Sequence, residues 1–134
     1  MPGIGQHRGV PDVSSDGDPR TGMTLAAVSS SGDDIFFSAG GTSAAGPFWA
    51  ALIALADQYA GHRLGFVNPA VYRVGRSASY HQAFHDVTSG SNSVVFPDQT
   101  ITGYQAGPGW DPVTGWGSPD ASVLVPLLVR YAGS

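Results

Sequence analysis

The apolar positions are unevenly spread, and their spacing predicts the elements. Met23 to Val28 and Ile35-Phe36-Phe37 are short apolar runs separated by Ser29-Ser30-Ser31-Gly32-Asp33-Asp34, which predicts a β-hairpin. From about Ala44 to Tyr59 the pattern is helical. Phe48, Trp49, Leu52, Ile53 and Leu55 cannot share one face, so this helix is apolar around nearly its whole girth. A helix of that kind belongs in the interior of a layered protein, yet only two or three candidate strands are available to cover it. Gly61 ends the helix. Asn68 to Val74 reads as a short helix capped by Asn68 with Pro69 at its first position. Residues 75–83 read as a polar connection, Phe84 to Thr88 as an extended piece, and Val94-Val95-Phe96 as a short strand. Ser118-Pro119 opens a last helix striped by Val123, Leu124, Leu127 and Leu128, which Pro126 should kink or split.

The remaining stretches are loops. Residues 1–22 contain no apolar rhythm, and Met1 to Gly5 reads as a ragged start. Pro11 limits Arg8 to Ser14 to a short extended piece. Asp12, Asp16 and Asp18 lack the spacing of a calcium loop and read as a solvated acidic turn. Tyr104 to Gly117 carries four glycines and two prolines, which makes it a rigid, irregular loop.

Composition narrows the function. The 134 residues, 42% of them hydrophobic, are enough for one domain (1–134) with a core. All ten acidic residues are Asp and all six basic ones are Arg; there is no Glu and no Lys. The net charge of -4, without a basic run, argues against a nucleic-acid partner. No apolar run is long enough to span a membrane, and the first residues do not read as a signal peptide. The absence of cysteine excludes disulfides and thiolate chemistry.

One stretch carries candidate chemistry. Gly40-Gly41-Thr42-Ser43-Ala44-Ala45-Gly46-Pro47 places a serine at the mouth of the apolar helix, and Pro47 fits the first helical turn. The first amides of a helix lack partners within it and its dipole makes that end positive. A serine there can attack a carbonyl while nearby amides hold the oxyanion. The alternative is that Thr42 or Ser43 is only an N-cap.

Gly41-Thr42-Ser43 with Pro47 resembles the nucleophile segment of subtilisin-fold serine peptidases. Arg8-Gly9-Val10-Pro11-Asp12-Val13-Ser14, Gly40 to Pro47, Gly65-Phe66-Val67-Asn68-Pro69, Phe84-His85-Asp86-Val87-Thr88-Ser89-Gly90 and Ala106-Gly107-Pro108-Gly109-Trp110-Asp111-Pro112 follow in that order. Together they resemble the C-terminal part of the sedolisins, the serine-carboxyl peptidases. The resemblance implies an α/β protein: the C-terminal portion of a subtilisin-like fold with a parallel sheet, a buried central helix after the serine motif, few strands and a calcium-binding loop. It implies an endopeptidase acting at acid pH with Ser43 as nucleophile, and one Ca²⁺ held by the carboxylates of Asp86 and Asp111 and the carbonyls of Val87, Gly107 and Gly109. Oxygen donors of these kinds suit a hard cation. From the residues alone, Asp86 and Asp111 read as turn residues rather than as ligands.

The chain departs from that family in one respect. Sedolisins use a Glu as base, itself supported by an Asp, with a further Asp in the oxyanion hole, and no Glu exists here. An upstream polypeptide must supply these groups, or the chain is a truncated product without them. Two alternatives stand beside the peptidase: a small esterase using Ser43 with one of His7, His62, His81 or His85, and a non-catalytic calcium-binding fragment. The expected substrate is accordingly a peptide or an ester. An uncovered apolar helix predicts self-association or association with an N-terminal peptidase part. The family resemblance alone implies secretion.

Overall fold

The computed structural model describes residues 5–132; residues 1–4, and with them most of the expected ragged start, lie outside. Ten elements follow one another: β1 (Met23–Val28), β2 (Asp34–Ala39), α1 (Thr42–Ala60), α2 (Asn68–Gly75), α3 (Tyr80–Ala83), β3 (Phe84–His85), β4 (Val94–Val95), β5 (Thr100–Ile101), β6 (Ser118–Pro119) and α4 (Ala121–Ala132). Helix and strand are mixed, as expected of an α/β chain. The expected parallel sheet is absent among the described residues, where all three sheets are two-stranded and antiparallel: β1-β2, β3-β6 and β4-β5.

The β1-β2 hairpin forms where the apolar runs predict it. Ser29 and Asp33 close its turn through backbone and side-chain hydrogen bonds, with Ser29 N–H to Asp33 C=O at 2.8 Å. In its register Met23 faces Ala39, Leu25 faces Phe37 and Ala27 faces Ile35. Side chains alternate along a strand, so these six apolar residues share one face. That face is poorly covered: Met23, Leu25, Ile35 and Phe37 are 42, 42, 43 and 47% exposed.

The core lies elsewhere, among the helices. Leu52 of α1, Val71 and Val74 of α2, Tyr80 of α3, Phe84, Leu124 and Leu128 of α4, and Trp110 and Trp116 of the glycine-rich loop pack into one cluster. Burying these side chains is the main favourable term available to the fold.

Several expectations need correction. Helix α1 is not buried on all sides. Ala44, Leu52 and Ala56 are buried, whereas Phe48, Leu55 and Tyr59 are exposed, because α4 covers only one side of it. Helix α1 also starts earlier than expected, which puts Pro47 in its second turn rather than its first. Helix α4 runs continuously through Pro126 and is not split. In both helices the proline is the sixth residue, early enough that only the carbonyl of the second residue, Ser43 or Ser122, loses its donor. Asn68 is not the cap of α2; that position is Val67, and the Asn68 amide donates instead to Asp12 Oδ2 at 2.7 Å. The stretch 75–83 is not mere connection, for it holds α3 and the buried Tyr80 and Ala83. Ser118-Pro119 pairs with Phe84-His85 instead of opening a helix. The last helix is opened by Asp120, whose Oδ1 accepts the Ser122 N–H at 3.0 Å.

Candidate functional site

The chain leaves β2 and turns sharply at Gly40 and Gly41 before α1. Gly41 has φ +73°, a conformation that side chains disfavour, and its N–H is tied to Gly17 C=O at 2.6 Å. This bend places Ser43 in the first turn of α1, exposed at the surface. The N-cap alternative is corrected: Gly41 holds the cap position, and no side chain caps the helix. Gly41 C=O accepts the Ala44 and Ala45 amides at 3.0 and 3.2 Å. The amides of Thr42 and Ser43 donate no backbone hydrogen bond, and Ser43 Oγ has no hydrogen-bond partner among the described residues. An open hydroxyl therefore sits beside two free N–H groups.

A cavity of about 560 Å³ adjoins Ser43, walled by Met23, Leu25 and Ala39 from the hairpin and by Ala44, Pro47, Phe48 and Ala51 from α1. No titratable side chain lines it. The histidines have other surroundings: His62 Nδ1 lies 3.0 Å from Arg63 C=O, and the His81 ring leans on Tyr80 at 4.7 Å. His85 is exposed on β3. Among the described residues, no titratable side chain lines the Ser43 cavity to take its proton.

The second candidate site is built from two limbs. Asp86 follows β3 directly, and β3 is held to β6 in the register His85 to Ser118. The other limb is the loop from Gly107 to Trp116, closed on itself by the Asp111 N–H to Gly115 C=O and Gly115 N–H to Asp111 C=O bonds at 3.2 and 2.9 Å. Gly109, with φ +76°, provides a turn open to few other residues, and its N–H donates to Asp86 Oδ2 at 2.9 Å. Asp111 is buried. Its Oδ2 accepts the Gly107 N–H at 3.1 Å, and its Oδ1 accepts those of Val113 and Thr114 at 2.8 and 2.9 Å. Among the expected residues, hydrogen bonds thus join Gly109 to Asp86 and Gly107 to Asp111, with Val87 adjacent to Asp86.

Two observations bear on whether these residues fit a cation. Asp86 Oδ1 is buried and has no hydrogen-bond partner, an expensive state for a carboxylate oxygen. The carbonyls of Val87, Gly107 and Gly109 accept no hydrogen bond among the described residues. Free oxygens from a carboxylate and from backbone carbonyls are the donor set that Ca²⁺ prefers. No cluster of three or more His, Cys, Asp or Glu exists among the described residues, and this pair of carboxylates is not one either.

Sequence reasoning missed a polar hub at Asp12. Its Oδ1 accepts the Tyr72 hydroxyl at 2.8 Å, and its Oδ2 accepts Asn68 and Arg8, both at 2.7 Å. Asp12 C=O also accepts the Trp116 N–H at 3.0 Å, so the hub joins the first motif, the Asn68-Pro69 motif and the glycine-rich loop. Asp16 and Asp18 stay in an exposed turn, bonded to the backbone amides of Asp18 and Arg20, as expected of a solvated acidic turn. The sequence held all three motifs but no signal that Asp12 connects them.

Tyr72 is half-buried, and burial, followed by its bond to Asp12, pushes its pKa up to about 12. A phenol whose pKa is raised by folding stabilises the fold fully below its unfolded value, about 10, and loses that contribution as pH rises towards 12. Stability is therefore expected to fall between about pH 10 and 12, and less steeply in Tyr72→Phe. Alkaline denaturation followed by tyrosinate absorbance checks this; equal curves for both proteins would refute it.

Comparison with known proteins gives relatives over most of the chain. It is 42% identical over 131 residues to kumamolisin of Bacillus sp. strain MN-32, covering 98% of this chain and 21% of that protein. It is 37% identical over 94 residues to tripeptidyl-peptidase sed1 of Aspergillus fumigatus, covering 67% of this chain and 13% of the relative. Against human tripeptidyl-peptidase 1 it is 34% identical over 98 residues, 67% of this chain and 16% of the relative. The chain thus spans about a fifth or less of the length of these relatives. No family model matches it.

Proposed function

Since the chain belongs to the sedolisin family of peptidases, we propose that it is the serine-bearing part of an acid-acting serine peptidase, braced by calcium, with Ser43 as nucleophile. The observation that carries this reading is the exposed Ser43 hydroxyl beside the free amides of Thr42 and Ser43. That arrangement can present an attacking oxygen and receive the oxyanion of an acyl substrate. The base must come from outside this chain, because it has no Glu and no titratable group lines the Ser43 cavity. A carboxyl base suits acid conditions, in which an imidazole would be protonated. The same cavity gives no support to an esterase built on a local histidine.

The partner we propose is the upstream part of a sedolisin-type domain, seated on the apolar face of the hairpin and the exposed side of α1. Phe37, Leu55 and Tyr59 are 47, 56 and 66% exposed, and such apolar surface favours association. By family resemblance we also place the protein outside the cell. No described helix is long and apolar enough to cross a membrane.

In the second site Asp86, Val87, Gly107, Gly109 and Asp111 would hold Ca²⁺. When bound, the ion would neutralise two close carboxylates and tie the Asp86 limb to the glycine-rich loop. The buried, unpartnered Asp86 Oδ1 supports this assignment.

The test is addition of the upstream part of kumamolisin to this chain, with casein cleavage measured at acid pH. Wild type should cleave only in the mixture, and Ser43→Ala should lower the rate by several orders of magnitude. Equal cleavage by both chains would refute Ser43. No cleavage by either, together with calcium-dependent melting, would leave a non-catalytic calcium-binding module, the reading favoured by the lack of a base near Ser43.

A further inference from the structure

We propose that Tyr80 is a positioning residue for the Asp86–Asp111 clamp, joining its two limbs through one buried hydroxyl. The inference rests on the calcium reading above. Tyr80 opens α3, which leads through β3 directly to Asp86. Its hydroxyl donates to Trp116 C=O at 3.1 Å, at the far end of the loop that carries Asp111. Its ring meets Trp116 edge-on with centroids 5.4 Å apart and Phe84 at 5.9 Å, so the side chain has one place to be. The position of Trp116 sets that of Asp111 through the closed loop, and the position of α3 sets that of Asp86. Tyr80 thus bonds from the segment leading to Asp86 across to the far end of the loop, a second tie beside the Gly109 N–H to Asp86 Oδ2 bond. Groups outside the ligand shell that fix ligand orientation commonly control metal affinity.

Terbium(III) is the probe, because it takes calcium's oxygen ligands and its emission can be excited through Trp110 in the same loop. Titration of wild type, Tyr80→Phe and Tyr72→Phe, followed by displacement with Ca²⁺, gives affinities, and emission lifetimes report water in the metal's shell. Tyr80→Phe keeps the ring and its packing. It is expected to weaken binding about 10- to 100-fold and to shorten the lifetime as water replaces a misplaced ligand. Tyr72→Phe removes a comparable phenol that bonds Asp12 rather than the clamp, and it should bind within about twofold of wild type. Melting without metal reports folding separately, so affinities are compared per folded molecule. Wild-type affinity and lifetime in Tyr80→Phe would overturn the proposal, because a purely structural tyrosine changes melting alone. If wild type itself shows no saturable, calcium-displaceable binding, the calcium reading fails and takes this inference with it.

Discussion

Without calcium, Asp86→Asn is expected to melt at or above the wild-type temperature; at saturating calcium the order should reverse. In wild type, Asp86 Oδ1 is buried without a hydrogen-bond partner, while Oδ2 accepts the Gly109 N–H. A buried polar atom without a partner costs about 1–3 kcal/mol, and more when charged. Asparagine keeps one carbonyl oxygen for Gly109 and removes the charge. The metal-free protein then exchanges a buried, unpartnered charge for a neutral amide nitrogen, which costs less. With calcium the balance changes, since a ligand that binds only the folded state at a hundred times its Kd adds about 2.7 kcal/mol. The variant, lacking the carboxylate, should gain almost none of it. Calorimetric melting of both proteins in chelator and in calcium reads the effect. The same calcium-induced shift in both would remove Asp86 from the site, and no shift in wild type would remove the site.

Leu124→Ala should cost about 2–5 kcal/mol, the range for a fully buried leucine whose removal leaves a cavity. Leu124 is fully buried at the α4 side of the helical core, against which α1 and α2 pack. Leu55→Ala on α1 makes the useful contrast. Leu55 is 56% exposed, so its loss in this chain alone should change stability by no more than about 0.5 kcal/mol. If the proposed upstream partner covers α1, the same substitution should become costly in the complex. Denaturant midpoints at constant slope separate the cases. Equal, small effects for Leu55→Ala with and without the partner would argue that α1 faces water by design.

The elements written into local pattern appeared where the sequence placed them. The hairpin followed from two apolar runs around a Ser/Gly/Asp turn, and α1, α2 and α4 from helical spacing. Elements fixed by distant partners did not. Ser118-Pro119 looks like a helix start, but it completes a ladder with Phe84-His85, a pairing invisible to spacing. Asn68 has the composition of a cap, yet Asp12 draws its amide away across 56 positions of sequence. Tyr80 lies in a stretch that reads as polar connection, and its burial depends on Trp116, which no local pattern announces.

The sites divide in the same way. The order of small residues around Ser43 and of glycines around Asp111 is local chemistry: a tight bend and a set of inward-turning backbone groups require those residue types, so both stretches could be picked out from the chain alone. Which amides beside Ser43 are left free, which oxygen of Asp86 lacks a partner, and which helix face stays bare were settled only by packing. Those properties belong to atoms brought together from far along the chain, and each depends on what else competes for the same hydrogen bond or the same surface.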